Sequence, residues 1–344
     1  MEAIGVMQER AGRMQPADVV AGHFEPVYVV GGRQRRDRSL RELGDGWYGY
    51  DTGVILRVAP DGVEVVHEYV SKPGTHQDGD AVLFKSATRV GDRLYCSTQT
   101  EVLVYSLPSF DEVAHVSLSH FNDVHHVRPT ATGTLLVANS GLETVMEVTL
   151  DGELVGEWNV LGEDTWSLHD PALDYRQGVN LKPHRAHPNQ VFLLGDEPWA
   201  TRFELKDAVS VADPSRRIDI GGERVHDGLP TAEGIWFTTV DGEVVLADAD
   251  SLRVTERHRL THPDGADTIL GWCRGILPTE HTCWVGFSRI RPTRLRHTVS
   301  WIRTKGVPQA PTRIARYRRD DWRLVDEIDL EPHGLNAVFS VIPT

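Results

Sequence analysis

The sequence predicts an all-β chain: a six-bladed β-propeller of four-stranded blades, its ring closed where the C-terminal strand joins the N-terminal blade. Three observations predict it. Short apolar, β-branched runs ending in small or polar residues recur along the chain: "VYVVGG", "LYCST", "LLVANSG", "VFLLGDE", "IWFTTVDG" and "CWVGFSR". Behind each comes a pair of alternating apolar and polar segments with an Asp-Gly, Pro or Asp-rich turn, which is a hairpin signal and has no helical period. Ahead of each lies one more short segment, giving four strands per unit at a spacing of roughly 40 to 57 residues, the size of a propeller blade.

The hairpins read "GVILRVAPDGVEVVHEYV", "EVLVYSLPSFDEVAHVSL", "ETVMEVTLDGELVGEWNV", "RFELKDAVSVADPSRRIDI", "EVVLADADSLRVTERHRL" and "TRIARYRRDDWRLVDEIDL". The opening segments are "FKSATRV", "DVHHVRP", "LKPHRAH", "HDGLP" and "CRGILP". A sixth opening segment stands only at the C-terminus, as "PHGLNAVFSVIPT", so it is expected to complete the blade begun at "VYVVGG". Such closure leaves few exposed strand edges. Residues 33–50 and 295–312 are insertions in the first and last blades. Residues 1–23 read as a tail able to form a short helix, and residues 24–344 as one propeller domain.

Composition narrows the function. The chain has 344 residues, 40% hydrophobic and 25% charged, with a formal net charge of −14. That balance argues against nucleic-acid and anionic-membrane partners, which both need a positive field. No apolar run reaches the length of a membrane span. The first residues lack a basic stretch followed by an apolar one, so the chain reads as cytoplasmic. Cys96, Cys273 and Cys283 form no even framework and read as reduced, packed thiols. Cys273 near His226 is a conceivable nucleophile, but a packed thiol is the more ordinary reading. No Gly-rich loop opens a helix and no GxSxG elbow is present, so nucleotide cradling and that hydrolase arrangement find no support. Nothing in the sequence gives an oligomeric state.

Sixteen histidines are the compositional oddity. "FNDVHHV" places Asn122, Asp123, His125 and His126 at the start of a buried strand, where apolar side chains are the norm. In a propeller the start of each inner strand and the turn between second and third strands share one face near the axis. Aligning the units puts His125 beside His226 and Cys273, and His126 beside Asp227 and Arg274, with His184 near the same level and His333 opening the closing blade. Neutral imidazoles converging in this way suit a divalent transition metal such as iron, manganese or zinc. His125, His184, His226 and His333 are therefore the expected metal ligands, and Glu143, His126 and Asp227 the expected catalytic groups. No local spacing such as HExxH is present, so the expectation rests on the alignment. A single histidine is more often packed or solvated, the reading given to His67, His115, His258, His262, His281 and His297.

The same alignment puts Arg274, Arg289 and Arg291 on the rim, where a guanidinium fork suits a carboxylate or phosphate. Arg202, Trp199 and Asn139 join them as substrate-binding candidates. Asp196, Glu197 and Ser288 fall in the same turns. Arg313, Arg316, Arg318, Arg319 and Arg323 read as a solvated face. Asp78 and Asp80, near His76, read as a polar turn.

The stretches "GTLLVANSGLETVMEVTLDGELV" and "GIWFTTVDGEVVLAD" resemble six-bladed propellers of the NHL and gluconolactonase (senescence marker protein) type, and the pattern covers most of residues 24–344. "GWCRGI" and "CWVGFSRIRPTRL" resemble an uncharacterised bacterial propeller family. The gluconolactonase resemblance implies a divalent cation held by Glu, Asn and Asp, to which only Asn139, Glu143 and Asp227 correspond. Histidine in place of oxygen donors departs from it and speaks against calcium. A histidine rim is more similar to the propellers of oligogalacturonate lyases and carotenoid oxygenases, which implies manganese or iron. The expectation is a metal-dependent enzyme acting on a small anionic molecule by lyase or isomerase chemistry, with Arg274 and Arg289 as anchors and Glu143 orienting a ligand or moving a proton. A non-haem iron oxygenase and a metal-free scaffold binding a peptide or protein are the alternatives.

Overall fold

In a computed structural model the chain is described over residues 24–35, 49–77, 81–262, 268–290 and 310–344. It forms six antiparallel sheets of four strands each. The first contains β1 (Val27–Gln34), β2 (Tyr50–Ala59) and β3 (Gly62–Tyr69), and the second β4 (Ser86–Val90), β5 (Arg93–Ser97), β6 (Val102–Ser106) and β7 (Asp111–Val116). The third holds β8 (Val124–Pro129), β9 (Leu135–Asn139), β10 (Thr144–Val148) and β11 (Leu154–Asn159). The fourth holds β12 (Pro188–Leu194), β13 (Glu197–Arg202), β14 (Asp207–Ser210) and β15 (Arg217–Asp219). The fifth holds β16 (Leu229–Thr231), β17 (Gly234–Thr238), β18 (Glu243–Asp248) and β19 (Arg253–Arg259). The sixth holds β20 (Trp272–Pro278), β21 (Thr282–Ser288), β22 (Arg313–Arg318) and β23 (Leu324–Asp329). The last strand, β24 (Ala337–Pro343), pairs with β1 and becomes the inner strand of the first blade, as the ring-closure argument requires.

Inner strands pack side by side around the axis: β24 against β4, β4 against β8, β8 against β12, β12 against β16, and β20 against β24, while β17 packs on β20. The central strands are buried along nearly their whole length because each blade presents both faces to its neighbours, and exposed positions gather on the outermost strands. The core is consequently divided into six layers, one between each pair of blades. Trp284 and Ile314 of the sixth blade meet Val29 and Leu56 of the first. Phe84 and Tyr105 of the second meet Ile55 and Val30 of the first. Val102 packs with Val137 and Met146, Leu136 with Val191 and Ala200, Phe192 with Phe237, and Trp236 with Phe287. A fully buried side chain of this size contributes roughly 1.5–3 kcal/mol relative to an exposed one.

Five of the six opening segments lie where the repeat places them. The fourth blade departs. There "VFLLGDE" belongs to β12, the inner strand, and "EPWATR" forms the second, β13. "LKPHRAH" is the loop that leads into the blade, since His187 is left-handed (φ 56°) and Pro188 opens the strand. Two further expectations are corrected by burial. Arg313 and Arg316 are not solvated: Arg313 lies 4.5 Å over Phe287 and pairs with Glu327, and Arg316 lies 5.0 Å over Phe24 and pairs with Asp326. The three cysteines are free and buried. The expected insertions 33–50 and 295–312 lie largely outside the described residues, which stop at 35 and 290 and resume at 49 and 310. The tail (1–23), Asp78, Asp80, Arg291 and His297 lie outside the described residues. No helix among the described residues is long and apolar enough to cross a membrane.

Candidate functional site

Residues 160–187, which join β11 to β12, form the longest described connection on the face where inner strands begin, and they carry the helical turn Thr165–Leu168. Asn122, ahead of β8, pins this connection by donating from Nδ2 to the carbonyls of Tyr175 (2.7 Å) and Val179 (2.9 Å). Gly141 makes that possible, because a Cβ there would fall 2.0 Å from Asn122 Oδ1. Arg176 adds a hydrogen bond to the Ser117 carbonyl at 3.2 Å. Glu143, left-handed at φ 57° and following the 3-10 turn Ser140–Leu142, fastens the far end. Its carboxylate accepts the backbone N–H groups of Arg185 (2.5 Å), Ala186 (3.2 Å) and His187 (2.7 Å). Burial pushes the Glu143 carboxyl upward, against the pull of those three amides.

The connection so held delivers His184 and His187 to Asp123, which opens the neighbouring third blade in a left-handed conformation (φ 52°). One ligand atom from each of Asp123, His184 and His187 lies within 4.8 Å of the others. His184 Nδ1 and His187 Nδ1 stand 2.6 Å apart, and His184 Nδ1 is 3.9 Å from Asp123 Oδ2. His125 joins from the side, with Nε2 3.3 Å from His187 Nε2. Lys85, nearly inaccessible, ion-pairs with Asp123 Oδ1, and Lys182 Nζ lies 3.6 Å from Oδ2.

The electrostatics of this group follow from burial. It drives the His125 and His187 imidazoles well below their ordinary range and His184 to about 4, so all three are neutral at pH 7. Burial also pulls Lys85 down to about 8, more strongly than Asp123 raises it. For Asp123 burial alone would raise the carboxyl, but Lys182 and Lys85 outweigh it and hold the group well below the usual carboxylate range.

These residues fit a divalent transition metal. Two neutral imidazoles and a carboxylate are a borderline donor set. Asp123 Oδ2 and His184 Nε2 are buried, and no hydrogen bond reaches either among the described residues. Two nitrogens on one ion stand about 3 Å apart, so the His184 and His187 rings would part by a few tenths of an ångström. Two left-handed non-glycine residues in one cluster are the kind of local strain that gathers at sites.

A second group lines the axis. His126 is buried, its Nε2 3.3 Å from Thr88 Oγ1, and burial takes it to about 3. His226 is buried and lowered, with Nδ1 3.5 Å from Asp227 Oδ1. Asp227 Oδ2 accepts from the Thr238 hydroxyl and, at 2.9 Å, from the Gly275 N–H. Arg274 lies 4.3 Å over the Phe339 ring and 5.7 Å from that of Trp272, and burial lowers it to about 10. It adds to the downward push on Lys85, so three cations share this pole of an acidic chain.

The expected site residues are thus sorted by position. His184 lies in the Asp123 cluster and His125 at its edge. His226 stands with the second group. His333 is displaced: it ends the 3-10 turn Glu331–His333, which packs on β3, and among the described residues no contact links it to the other three. Arg289 forks onto Glu331 at 2.7 and 2.8 Å, and Arg202 onto Asp207 at 2.8 and 2.6 Å, so both guanidinium groups are engaged within the protein. Trp199 is buried in the layer between the fourth and fifth blades. Asn139 is a buried pin, accepting the Asn122 N–H at 2.8 Å and donating to the His120 carbonyl at 2.9 Å. Sequence reasoning passed over Asp123, His187 and Lys85 as ligand-site residues. The available signal was the polar run "FNDVHH" and the second histidine of "HRAH".

No protein-family model and no curated protein sequence matches the chain. Solved structures do. A protein of unknown function from Bacteroides caccae is similar with a TM-score of 0.59 at 13% identity, over 92% of this chain and 98% of that one. Virginiamycin B lyase from Staphylococcus aureus has a TM-score of 0.46 at 11% identity, over 88% and 84% of the two chains. A streptogramin B lyase has a TM-score of 0.46 at 10% identity, over 88% of each. The likeness to the Bacteroides caccae protein is one of fold, and the strand order makes the chain a six-bladed propeller.

Proposed function

We propose that this propeller is a metal-dependent enzyme that acts on a small anionic molecule by lyase or isomerase chemistry, with Asp123, His184 and His187 holding the ion. The observation that carries the reading is the meeting, within 4.8 Å, of a carboxylate at the start of the third blade and two imidazoles from the loop that leads into the fourth. A bound divalent ion supplies Lewis acidity, polarising a substrate oxygen. The chain's own residues do the rest. Glu143 holds the backbone of the ligand loop in place, and the neutral imidazoles offer lone pairs without losing a proton. Lys85, Lys182 and Arg274 supply positive charge that favours an anion on a chain of net charge −14. Arg274, whose Cζ lies 4.3 Å over the Phe339 ring, is the group to orient a carboxylate.

Elemental analysis after exhaustive dialysis tests the reading. One equivalent of a transition ion in the native protein, lost in the double variant Asp123→Asn/His187→Ala, is expected. A native protein that neither retains nor takes up such an ion overturns it. Two histidines and one carboxylate are also the donor set of non-haem iron oxygenases, and this favours that second reading within the same site. Iron as the retained metal, with oxygen consumption, would select it. Zinc or manganese with no oxygen consumption would select the first.

A further inference from the structure

We infer that His125 is a positioning residue that dictates which nitrogen His187 presents to the ion, through a hydrogen-bonded chain of fixed direction. The inference rests on the ion-site reading above. Its starting point is a backbone carbonyl. His125 Nδ1 stands 2.7 Å from the carbonyl oxygen of Asp123, and a carbonyl only accepts, so Nδ1 carries the hydrogen. Ser140 agrees: its hydroxyl donates to the Pro188 carbonyl at 2.5 Å, leaving Oγ to accept from His125 Nδ1 at 2.9 Å. A neutral His125 then has a lone pair on Nε2.

That lone pair faces His187 Nε2 at 3.3 Å, with the two ring centroids 4.5 Å apart in an edge arrangement. Two lone pairs facing one another repel, so His187 carries its hydrogen on Nε2 and donates it to His125. Its Nδ1 is left as the lone pair, on the side of Asp123 and His184. The direction Asp123 carbonyl, His125, His187 is set by that carbonyl at 2.7 Å, since Lys85 Nζ, which as an ammonium can only donate, lies farther from the same Nδ1 at 3.4 Å. An imidazole that donates the N–H of its non-ligating nitrogen to an acceptor is a better-oriented ligand, and loss of such a partner typically weakens metal binding 10–100-fold. The chain also explains why His125 itself does not share the Asp123 sphere: it reaches the cluster through the far nitrogen of His187.

The test has two arms. Long-range nitrogen–proton NMR on histidine-labelled protein, with His187 assigned by its loss in His187→Ala, reads the tautomer directly. The Nε2–H form is expected, and an Nδ1–H form overturns the inference, because an ion would then have to bind between His125 and His187. Cobalt(II) titration supplies the second arm. His125→Leu should bind cobalt at least 10-fold more weakly with an altered visible spectrum, and His125→Gln, whose amide both donates and accepts, should recover most of the affinity. Native affinity and spectrum in His125→Leu overturn the inference as well. If the native protein takes up no cobalt, the ion reading fails, and the tautomer measurement still judges the chain.

Discussion

Glu143 accepts the backbone N–H of His187 at 2.7 Å, so a carboxylate of the third blade sets the position of a candidate metal ligand of the fourth. The contact is one of a set. Arg185 and Ala186 donate to the same carboxylate, and three successive amides converging on one group fix the local backbone more tightly than a single bond would. Removing the carboxylate leaves buried N–H groups unsatisfied, at a cost of about 1–3 kcal/mol. Glu143→Ala should therefore lower thermal stability and weaken metal uptake by about 10-fold or more, while Glu143→Gln, which keeps one acceptor oxygen, falls between. Isothermal titration with zinc beside a thermal melt separates the two effects. Undiminished zinc affinity in Glu143→Ala would show that the loop needs no such anchor.

The ligand assignment makes its own contrast among histidines. His184 and His187 belong to the cluster, and His226 and His333 do not. Single changes His184→Ala and His187→Ala should each remove most of the bound metal. His333→Ala should leave metal content unchanged, as should His226→Ala despite a stability cost of about 1–3 kcal/mol for disturbing a buried polar neighbourhood. Metal-to-protein ratios across the four variants check this, and loss of the ion in His333→Ala would relocate the site.

Ring closure depends on a close backbone approach. At Gly31 a Cβ would lie 1.8 Å from the Ala337 carbonyl oxygen, beside the irregularity where the pairing of β1 with β24 shifts register. Neither partner is a flexible side-chain end, so the strands must separate. Gly31→Ala should cost several kcal/mol, toward the severe end of single substitutions, and chemical denaturation would measure it. A loss below about 1 kcal/mol would mean that closure tolerates a wider gap than the pairing of β1 with β24 implies.

What could be read from the sequence follows from what repeats. The second strand of most blades is an apolar run set by packing on both faces, so its period exposed the propeller and the closing strand. The fourth blade escaped because its inner strand, "PNQVFLL", has that same look, while its second strand carries Glu197, Pro198 and Arg202. Taking one for the other moved "KPHRAH" onto an inner strand and drew attention to His184 at the expense of His187. His333 misled for a different reason: it ends a 3-10 turn that packs on β3, and Gly334, Leu335 and Asn336 separate it from β24. Asp123 and Lys85 stand beside strands at the axis, where no spacing rule marks them. Only the angle between blades brings them together.

Away from the axis, Glu101 supplies a pH-dependent element of stability. Its side chain is fully buried at the start of β6 and accepts hydrogen bonds from Tyr69 (2.8 Å), His115 (2.9 Å), Thr98 (3.2 Å) and the Ser71 hydroxyl, tying the second blade to the connection that follows β3. Burial alone would raise its carboxyl, but the bonds from His115, Ser71 and Tyr69 outweigh it and bring it from 4.5 down to about 2. A carboxyl whose folded value lies below its unfolded one stabilises the protein fully above the unfolded value and loses that contribution as pH falls through the folded one. The window is therefore from about pH 4.5 down to about 2, and the amount is about 3 kcal/mol at about 1.4 kcal/mol per pH unit. Glu101→Gln should be less stable than the native protein at pH 6, and the two should approach each other as the medium is acidified through that window. Melting temperatures of both proteins from pH 6 to pH 2.5 give the difference directly. A gap that stays constant across that range would mean that the ionised form of Glu101 adds nothing beyond what a neutral amide provides.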